Sequence, residues 1–447
     1  MKKLLIAGAG RSAWSLIQYL LKHSPQHDWQ LTVADVLQEN IDRVLPQGAE
    51  VTKLTLNVMH ENERKAAIAG QDLVISLMPV SLHNLIAKDC LEQGVDLMTA
   101  SYISEELQKM DPQVKGKNLL FLNEMGLDPG IDHMSAMHIL HRLEDKGGKI
   151  NAFRSFAGGL MAPESDDNPW HYKFTWNPYN VVRAGKGMAK YLADNSFRYL
   201  PYHRLFSETY PLTVPKAGEF EAYLNRDSLS YIKKYQLAGV QNFLRGTLRM
   251  PGFCRSWNHL VRLGLTNDTV VIPDSEGLNY LQYLELFLPP GHSEPKERLA
   301  ALLGIEADGS ELQKLQWLGL FDEINIDIEE ATPAMILQSL LERKWKMRDD
   351  DKDRVVMIHE VEYEIEQKER LLQSVLDLRG ENARETAMAK TVGLPLAIAA
   401  RLRLEGRIRV SGVVAPLKPE IYNPVLRELR ENGIGFKEYE EDKKPKL

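Results

Sequence analysis

Cysteine is nearly absent: Cys90 and Cys254 are the only two in 447 residues, and neither stands in a C-x-x-C or Cys/His spacing. That excludes a disulfide framework or a cysteine-based zinc site and fits a reducing compartment. Long apolar runs are missing too. No segment reaches the roughly 18 uninterrupted apolar residues of a membrane span, and residues 1–7, with two lysines, are too short for a signal-peptide core. A cytoplasmic protein with no membrane partner is expected. The chain also lacks excess positive charge; its net charge of −7 gives no support to nucleic-acid binding. Internal repeats of 20–50 residues and low-complexity tracts are absent.

What is present is the balance of an ordinary globular protein, 44% hydrophobic and 26% charged, with length enough for two or three domains. Residues 1–126 alternate short apolar runs with amphipathic stretches, the rhythm of βαβ units in a doubly wound parallel sheet. Strands are expected at residues 4–7, 31–34, 51–56, 73–77, 97–100 and 119–122, with helices at 13–21 and 82–92. After Gly126 the rhythm changes to Gly/Pro clusters and an aromatic segment over 170–179, which predicts a second, mixed α/β domain over 127–387. Within it, residues 295–347 read as a helical insertion, followed by a strand at 355–365. An alanine-rich helix at 388–404 and a terminal helix at 422–431 are expected to pack back on the first domain, completing it with residues 388–447. The charge runs at 348–354 and 437–446 read as solvated faces or a frayed end.

Gly8-Ala9-Gly10-Arg11-Ser12-Ala13 follows a predicted strand and opens a predicted helix. In that context Gly8 permits the tight turn, Gly10 lets the backbone approach a pyrophosphate, and Ala13 allows close helix–strand packing. Free N–H groups at the helix start, Ser12 among them, then face the phosphates. Asp35 ends the second strand about twenty residues on, where an acid binds the ribose hydroxyls and repels a 2′-phosphate. This favours NAD; Arg11, inside the loop and placed to meet a phosphate, keeps NADP open. Later strands bring Ser76-Leu77-Met78-Pro79 and Thr99-Ala100-Ser101-Tyr102 to the same edge, with the hydroxyls of Ser101 and Tyr102 where nicotinamide and substrate would meet.

The string Glu124-Met125-Gly126-Leu127-Asp128-Pro129-Gly130-Ile131-Asp132-His133 resembles the saccharopine reductase family, the glutamate-forming saccharopine dehydrogenases. The resemblance continues through Gly158 to Glu164, Tyr172 to Trp176, Asn225 to Ser228 and Arg245 to Arg249, over nearly the whole chain. It implies a Rossmann domain for the cofactor and a second domain for substrate and for homodimer contacts. The implied reaction is oxidation of saccharopine, a small-molecule secondary amine, to an imine that hydrolyses to 2-aminoadipate 6-semialdehyde and glutamate, or the reverse. The chain begins directly with the dinucleotide motif, so the lysine-ketoglutarate reductase module fused to some members is expected to be missing. The resemblance also reaches dehydrogenases that make carboxynorspermidine or carboxyspermidine, whose substrates would call for acids rather than arginines. A non-catalytic relative would show a degenerate glycine loop, which this chain does not have.

On this resemblance Arg226 and Arg249 clamp substrate carboxylates, a task suited to the planar guanidinium fork. Ser101, Tyr102, Thr247 and Leu248 add substrate contacts, and Leu127, Asp128, Pro129 and Thr175 lie at the cofactor. Asp128 has two readings: an N-cap ahead of Pro129, or a carboxylate that steadies the substrate amine and the positive charge developing on it, with Tyr102 beside it. Lys173 is either a further cation or structural. Several family members carry a cysteine before the Gly158-Gly159 pair, where this chain has Ala157. No metal is expected, since the spacing of His133, His138 and His141 does not place all three on one helical face.

Overall fold

The computed structural model describes residues 1–442. The chain is α/β and divides into two units. The first comprises Met1–Lys149, Ile365–Gln367 and Leu378–Lys437; the second comprises Ile150–Glu364, Lys368–Asp377 and the described residues from Glu438.

In the first unit the short apolar runs become strands β1 (Lys2–Ala7), β2 (Trp29–Asp35), β3 (Thr52–Thr55), β4 (Leu73–Ser76), β5 (Asp96–Thr99) and β6 (Leu120–Leu122). Between and after them come helices α1 (Ala13–His27), α2 (Gln38–Val44), α3 (Glu61–Ile68), α4 (His83–Gln93), α5 (Glu105–Gly116) and α6 (Ile131–Asp145). The order across the sheet is β3-β2-β1-β4-β5-β6, with the strand Gly412–Val414 beyond β6. Every pairing is parallel, so the strand order reverses between β1 and β4, where such sheets bind ligands. Leu4 to Ala7 and Leu73 to Ser76 are wholly buried, as strands covered on both faces require.

Helix α1 runs past residue 21, through Pro25. Pro25 has no N–H for the Leu21 carbonyl, and the Ser24 hydroxyl donates to that oxygen at 3.1 Å, so the turn survives. Helix α1 lies close against the helix Ala387–Leu404: a Cβ on Gly393 would stand 2.9 Å from Leu16 N and 3.1 Å from Ser12 O. Beside this contact Arg401 donates to the Tyr19 hydroxyl at 2.7 Å and pairs with Glu405 and Glu428.

The second unit is built on a mixed sheet of β7 (Lys149–Met161), β8 (Met188–Ala193), β9 (Ser196–Pro201), β10 (Tyr210–Val214), β11 (Gly218–Leu224), β12 (Asn242–Arg249), β13 (Asp353–Ile365) and β14 (Lys368–Arg379). Its order is β10-β11-β12-β7-β13-β14, with Lys437–Asp442 beyond β14 and the β8–β9 hairpin attached to β12. The parallel contact of β7 with β12 depends on Gly158, where a Cβ would meet Leu248 O at 2.5 Å. Helices begin well before residue 295. Phe253–Arg262 buries Phe253, Cys254, Trp257 and Leu260, and is followed by Tyr280–Glu285, Pro295–Leu303, Ser310–Leu318 and Pro333–Lys344. Trp170, Tyr172, Phe174, Phe253 and Trp257 gather around Trp345, with ring centroids 5.1–6.1 Å from it.

The two charge runs are each solvated in part. The charge run at 348–354 is a solvated face only over its first three residues, which are exposed: Asp351, Asp353 and Arg354 are buried, Asp351 pairs with Lys173 at 2.8 Å, and Arg354 pairs with Asp377 at 2.7 Å. Burial of Asp351 and Arg354 is tolerated because each faces a partner from another element of the chain. Of the two readings of the tail, the solvated face holds through residue 442 and the frayed end does not: Lys437–Asp442 is a largely exposed strand, and Glu440 pairs with Arg370 at 2.9 Å. Residues 443–446 of that expectation lie outside the described residues.

The β7–β12 contact yields a stability test. Gly158→Ala should lower the unfolding free energy by about 1–3 kcal/mol through overpacking, read from urea denaturation. Gly116→Ala, where an added Cβ meets nothing within 4 Å, is the control and should leave the midpoint unchanged or slightly raised.

Candidate active site

The turn after β1 has the features a dinucleotide needs. Gly8 has φ +106°, its N–H donates to Ala34 O at 2.7 Å, and a Cβ there would press on the Leu77 backbone at 3.0 Å. Above Gly10 no protein atom comes within 4 Å of an added Cβ, leaving room for a phosphate group at the backbone. Ser12 occupies the N-cap of α1 without a side-chain capping bond, so the helix offers its amino end to an anion. Ala13 is fully buried beneath it, and Arg11 is exposed. At the end of β2, Asp35 Oδ2 accepts from Ala9 N at 2.8 Å, while Oδ1 accepts from Leu37 N at 3.0 Å and the Asn40 amide at 2.9 Å. No cation is among its partners in the described residues, and its carboxylate lies directly beside the glycine turn.

The carboxyl ends of β4, β5 and β6 carry a buried polar network. Ser76 and Thr99 are cross-strand partners. His83, at the start of α4, places Nδ1 2.8 Å from Ser76 Oγ and Nε2 2.8 Å from Ser101 Oγ, with Thr99 Oγ1 at 3.4 Å. Burial lowers the His83 pKa to about 4, so the imidazole is neutral at physiological pH. Sequence reasoning passed over this histidine; its signal was a histidine seven residues after the Ser76 strand end, at a helix start. Just below, His133 Nε2 lies 2.7 Å from Glu124 Oε2, both groups fully buried, and Glu124 Oε1 accepts from Ile103 N at 3.2 Å. Leu77 and Met78 are half-buried and Pro79 is exposed, past the end of β4.

Asp128 does not cap α6. The helix starts at Ile131 with Gly130 at its N-cap, and Asp132 Oδ1, not Asp128, accepts from Gly130 N at 2.5 Å. The reason is that Gly126 and Gly130 approach so closely, with Gly126 N donating to Pro129 O at 2.8 Å, that Asp128 is carried on a loop outside the helix. There it meets Tyr102, whose hydroxyl donates to Asp128 Oδ1 at 3.3 Å. Leu127 and Pro129 are buried in the same loop. His138 and His141 contact Asn423 and Tyr422.

The remaining sequence candidates belong to the second unit. Along β12, Arg249 is buried, its guanidinium centre 5.0, 5.2 and 5.6 Å from the ring centres of Tyr172, Phe253 and Tyr223. Its Nη1 donates to Leu248 O at 2.9 Å, its Nε has no partner, and no carboxylate lies within ion-pair distance among the described residues. Nearby in sequence, Thr247 Oγ1 donates to Asn225 Oδ1 at 2.8 Å. Leu248 turns its side chain into the hydrophobic core and gives its carbonyl to Arg249, so it presents no side chain to a ligand. Arg226 is not grouped with Arg249 by any shared partner; it is exposed and donates to Arg183 O at 3.3 Å. Thr175 is buried with its hydroxyl unpaired. Lys173 is structural, paired with Asp351 and Asp167 at 2.8 Å each.

Residues 4–122 match the family described as saccharopine dehydrogenase NADP binding domain, and residues 126–434 match the saccharopine dehydrogenase C-terminal domain. The chain is 32% identical to saccharopine dehydrogenase [NADP(+), L-glutamate-forming] of Saccharomyces cerevisiae, over 98% of this chain and 99% of that one. It is 31% identical to the mitochondrial alpha-aminoadipic semialdehyde synthase of Mus musculus, over 97% of this chain but 47% of that one. It thus spans about half the length of the alpha-aminoadipic semialdehyde synthases it matches. Among solved structures, the apo saccharopine dehydrogenase (L-Glu forming) of Saccharomyces cerevisiae superposes with a TM-score of 0.88 at 30% identity, covering 98% of this chain and 100% of that one.

The His83 environment gives a pH prediction with a defined sign. Unfolded, the imidazole titrates near 6.5; folded, near 4, so between these values the unfolded state binds more protons. Its contribution to stability is complete above about pH 6.5 and is lost as pH falls toward 4, on the order of 3 kcal/mol in all. Urea midpoints measured from pH 7 to pH 4.5 should fall less steeply for His83→Gln than for the unmodified chain; equal slopes would exclude His83 as a source.

Proposed function

The chain belongs to the saccharopine dehydrogenase family, and from that premise we propose that it oxidises saccharopine to 2-aminoadipate 6-semialdehyde and L-glutamate, or runs the reverse reaction, in lysine metabolism. The observation that carries this reading is Arg249, a buried guanidinium on an aromatic platform with no carboxylate within ion-pair distance among the described residues; Glu221, its cross-strand neighbour, acts on it only from farther away. An isolated buried charge is costly, and a ligand carboxylate is the natural counter-ion. Saccharopine brings three carboxylates. Arg249 takes one of them, with Thr175 adding a hydroxyl and the backbone beside Thr247 shaping the site; exposed Arg226 takes another.

In the first unit Gly8, Gly10, Ser12 and Ala13 receive the pyrophosphate, Asp35 the adenosine ribose, and the ends of β4 and β5 the nicotinamide. When bound, the nicotinamide ring accepts the hydride. Asp128 lies beside the substrate nitrogen and stabilises the positive charge that develops there, Tyr102 holds Asp128 in place, and water then adds to the imine carbon. Asp35 directs the choice toward NAD, since its carboxylate would repel a 2′-phosphate, although the yeast relative's name specifies NADP(+). We place the protein in the cytoplasm as a homodimer. Both cysteines are buried and unpaired, and no described helix is long and apolar enough to cross a membrane. The β8–β9 hairpin exposes Met188, Phe197 and Tyr199, an apolar strip suited to a second copy.

Following absorbance at 340 nm with saccharopine tests the reaction, with NAD and NADP compared at equal concentration. Reduction that depends on saccharopine and runs at least about tenfold more efficiently with NAD is expected, and Asp35→Ser should narrow that ratio. No turnover with either cofactor, or preferential turnover of a carboxylated polyamine, would refute the assignment. Arg249→Met should raise the saccharopine KM by about 10- to 150-fold, the loss of one charge-assisted bond, while leaving the apo melting temperature unchanged or higher. An unchanged KM would remove Arg249 from the substrate site.

A further inference from the structure

We propose that His83 is a positioning residue: its buried imidazole, held between Ser76 and Ser101, fixes the Ser101 hydroxyl as a hydrogen-bond donor to an acceptor oxygen of the bound ligand. This rests on the oxidoreductase reading above and assigns a device within that site.

The direction of each bond follows from what the hydroxyls have around them. Ser76 is completely buried, and its Oγ has a single polar contact, His83 Nδ1 at 2.8 Å. A buried hydroxyl proton needs an acceptor, so Ser76 donates and Nδ1 accepts. The imidazole is neutral, because burial holds its pKa far below the ordinary value, and a neutral ring that accepts at Nδ1 carries its proton on Nε2. That proton goes to Ser101 Oγ at 2.8 Å, the nearer partner; Thr99 Oγ1, at 3.4 Å, makes only a longer and weaker contact with the same nitrogen. Ser101 is held from its backbone too, since its N–H donates to Thr99 Oγ1 at 3.2 Å.

Ser101 Oγ therefore receives one hydrogen bond from the protein and keeps its own proton. No other described group accepts that proton, and Ser101 is half-buried just past the carboxyl end of β5, the edge at which parallel sheets bind their ligands. A hydroxyl fixed this way suits a carbonyl or carboxylate oxygen: the nicotinamide carboxamide or a carboxylate of the substrate. Because the ring stays neutral, it adds no charge to the site; its effect is to choose the sense of the hydroxyl dipole.

Two conservative substitutions separate the ring's two nitrogens. Glutamine sets an amide nitrogen near the Nε2 position and keeps the bond to Ser101, whereas asparagine reaches only the Nδ1 position and keeps the bond to Ser76. His83→Asn is expected to raise one KM about tenfold, that of the dinucleotide or that of saccharopine, with the other within about twofold. The ligand affected identifies the acceptor oxygen. His83→Gln should stay within about threefold on both. Ser101→Ala should match His83→Asn, and the double variant should be no worse than either, because both remove one interaction.

His83→Asn with wild-type values for both ligands, or an additive double variant, overturns the proposal. Should His83→Asn fail to fold by circular dichroism, Ser76→Ala replaces it. Losing the hydroxyl that sets the tautomer should raise the KM that Ser101→Ala raises, by about threefold, and unchanged values overturn the proposal equally. Fluorescence titration with NADH separates this from the parent reading. A wild-type chain that binds no dinucleotide refutes the oxidoreductase assignment and the His83 role with it, while binding by the wild type together with unaltered binding and KM values in His83→Asn refutes the His83 role alone.

Discussion

Polar groups buried at the carboxyl edge of the parallel sheet can find partners only within the protein, and that requirement organises the first unit around its ligand edge. Three strands deliver a serine, a threonine and a glutamate to one region, and two histidines meet them from the starts of α4 and α6. The arrangement is rigid because each member fixes the next: Ser76 sets the imidazole of His83, the imidazole sets Ser101, and the Ser101 carbonyl accepts from Glu124 N at 3.0 Å. Glu124 in turn holds Ile103 N, so the loop carrying Tyr102 is anchored from behind. A site built this way has its geometry fixed before any ligand arrives.

The second unit handles charge in the opposite manner. Lys173 and Asp351 are buried as a mutually neutralising pair, and buried Arg354 is neutralised by Asp377 at the surface, so these charges contribute to architecture. Arg249 is buried against a carbonyl and aromatic faces, with Glu221 on the neighbouring strand but no carboxylate within ion-pair distance among the described residues. Aromatic contacts stabilise a guanidinium by about 0.5–2 kcal/mol, well short of what an ion pair provides in the same surroundings. Electrostatics thus separates two kinds of buried charge, one held in direct ion pairs within the chain and the other left without a direct ion pair among the described residues.

Much of the first unit was legible in sequence because its signals are local. Continuous apolar runs marked the parallel strands, the Gly8-Ala9-Gly10 turn stood between strand and helix, and Asp35 fell at the end of β2 where its carboxylate reaches the turn. The continuation of α1 past residue 21 was not legible, since a proline ordinarily stops a helix and only the Ser24 hydroxyl rescues the turn. The second sheet was largely missed. Strand β7 is buried on both faces and contains Gly158, so it shows neither alternation nor a strand-forming composition, and its glycine is explained by a strand remote in sequence. The second half of the charge run at 348–354 misled for the same reason, because nothing local reveals that Lys173 and Asp377 will neutralise Asp351 and Arg354. At the site, residue types were readable and their wiring was not: Asp128 followed the pattern of a helix cap until the glycine contact behind it carried it elsewhere, and His83 carried no pattern at all.

The last strand of the parallel sheet, Gly412–Val414, pairs with β6 from the far end of the chain. A ribosome therefore releases β1 through β6 long before their neighbour exists, and β6 waits as an open edge while most of the second unit is being synthesised. Such an edge invites pairing with strands of other nascent molecules. The dinucleotide-binding half, although most of it emerges before the second unit, is closed only after most of that unit has been made, so protection by a chaperone would matter for the half that looks most autonomous.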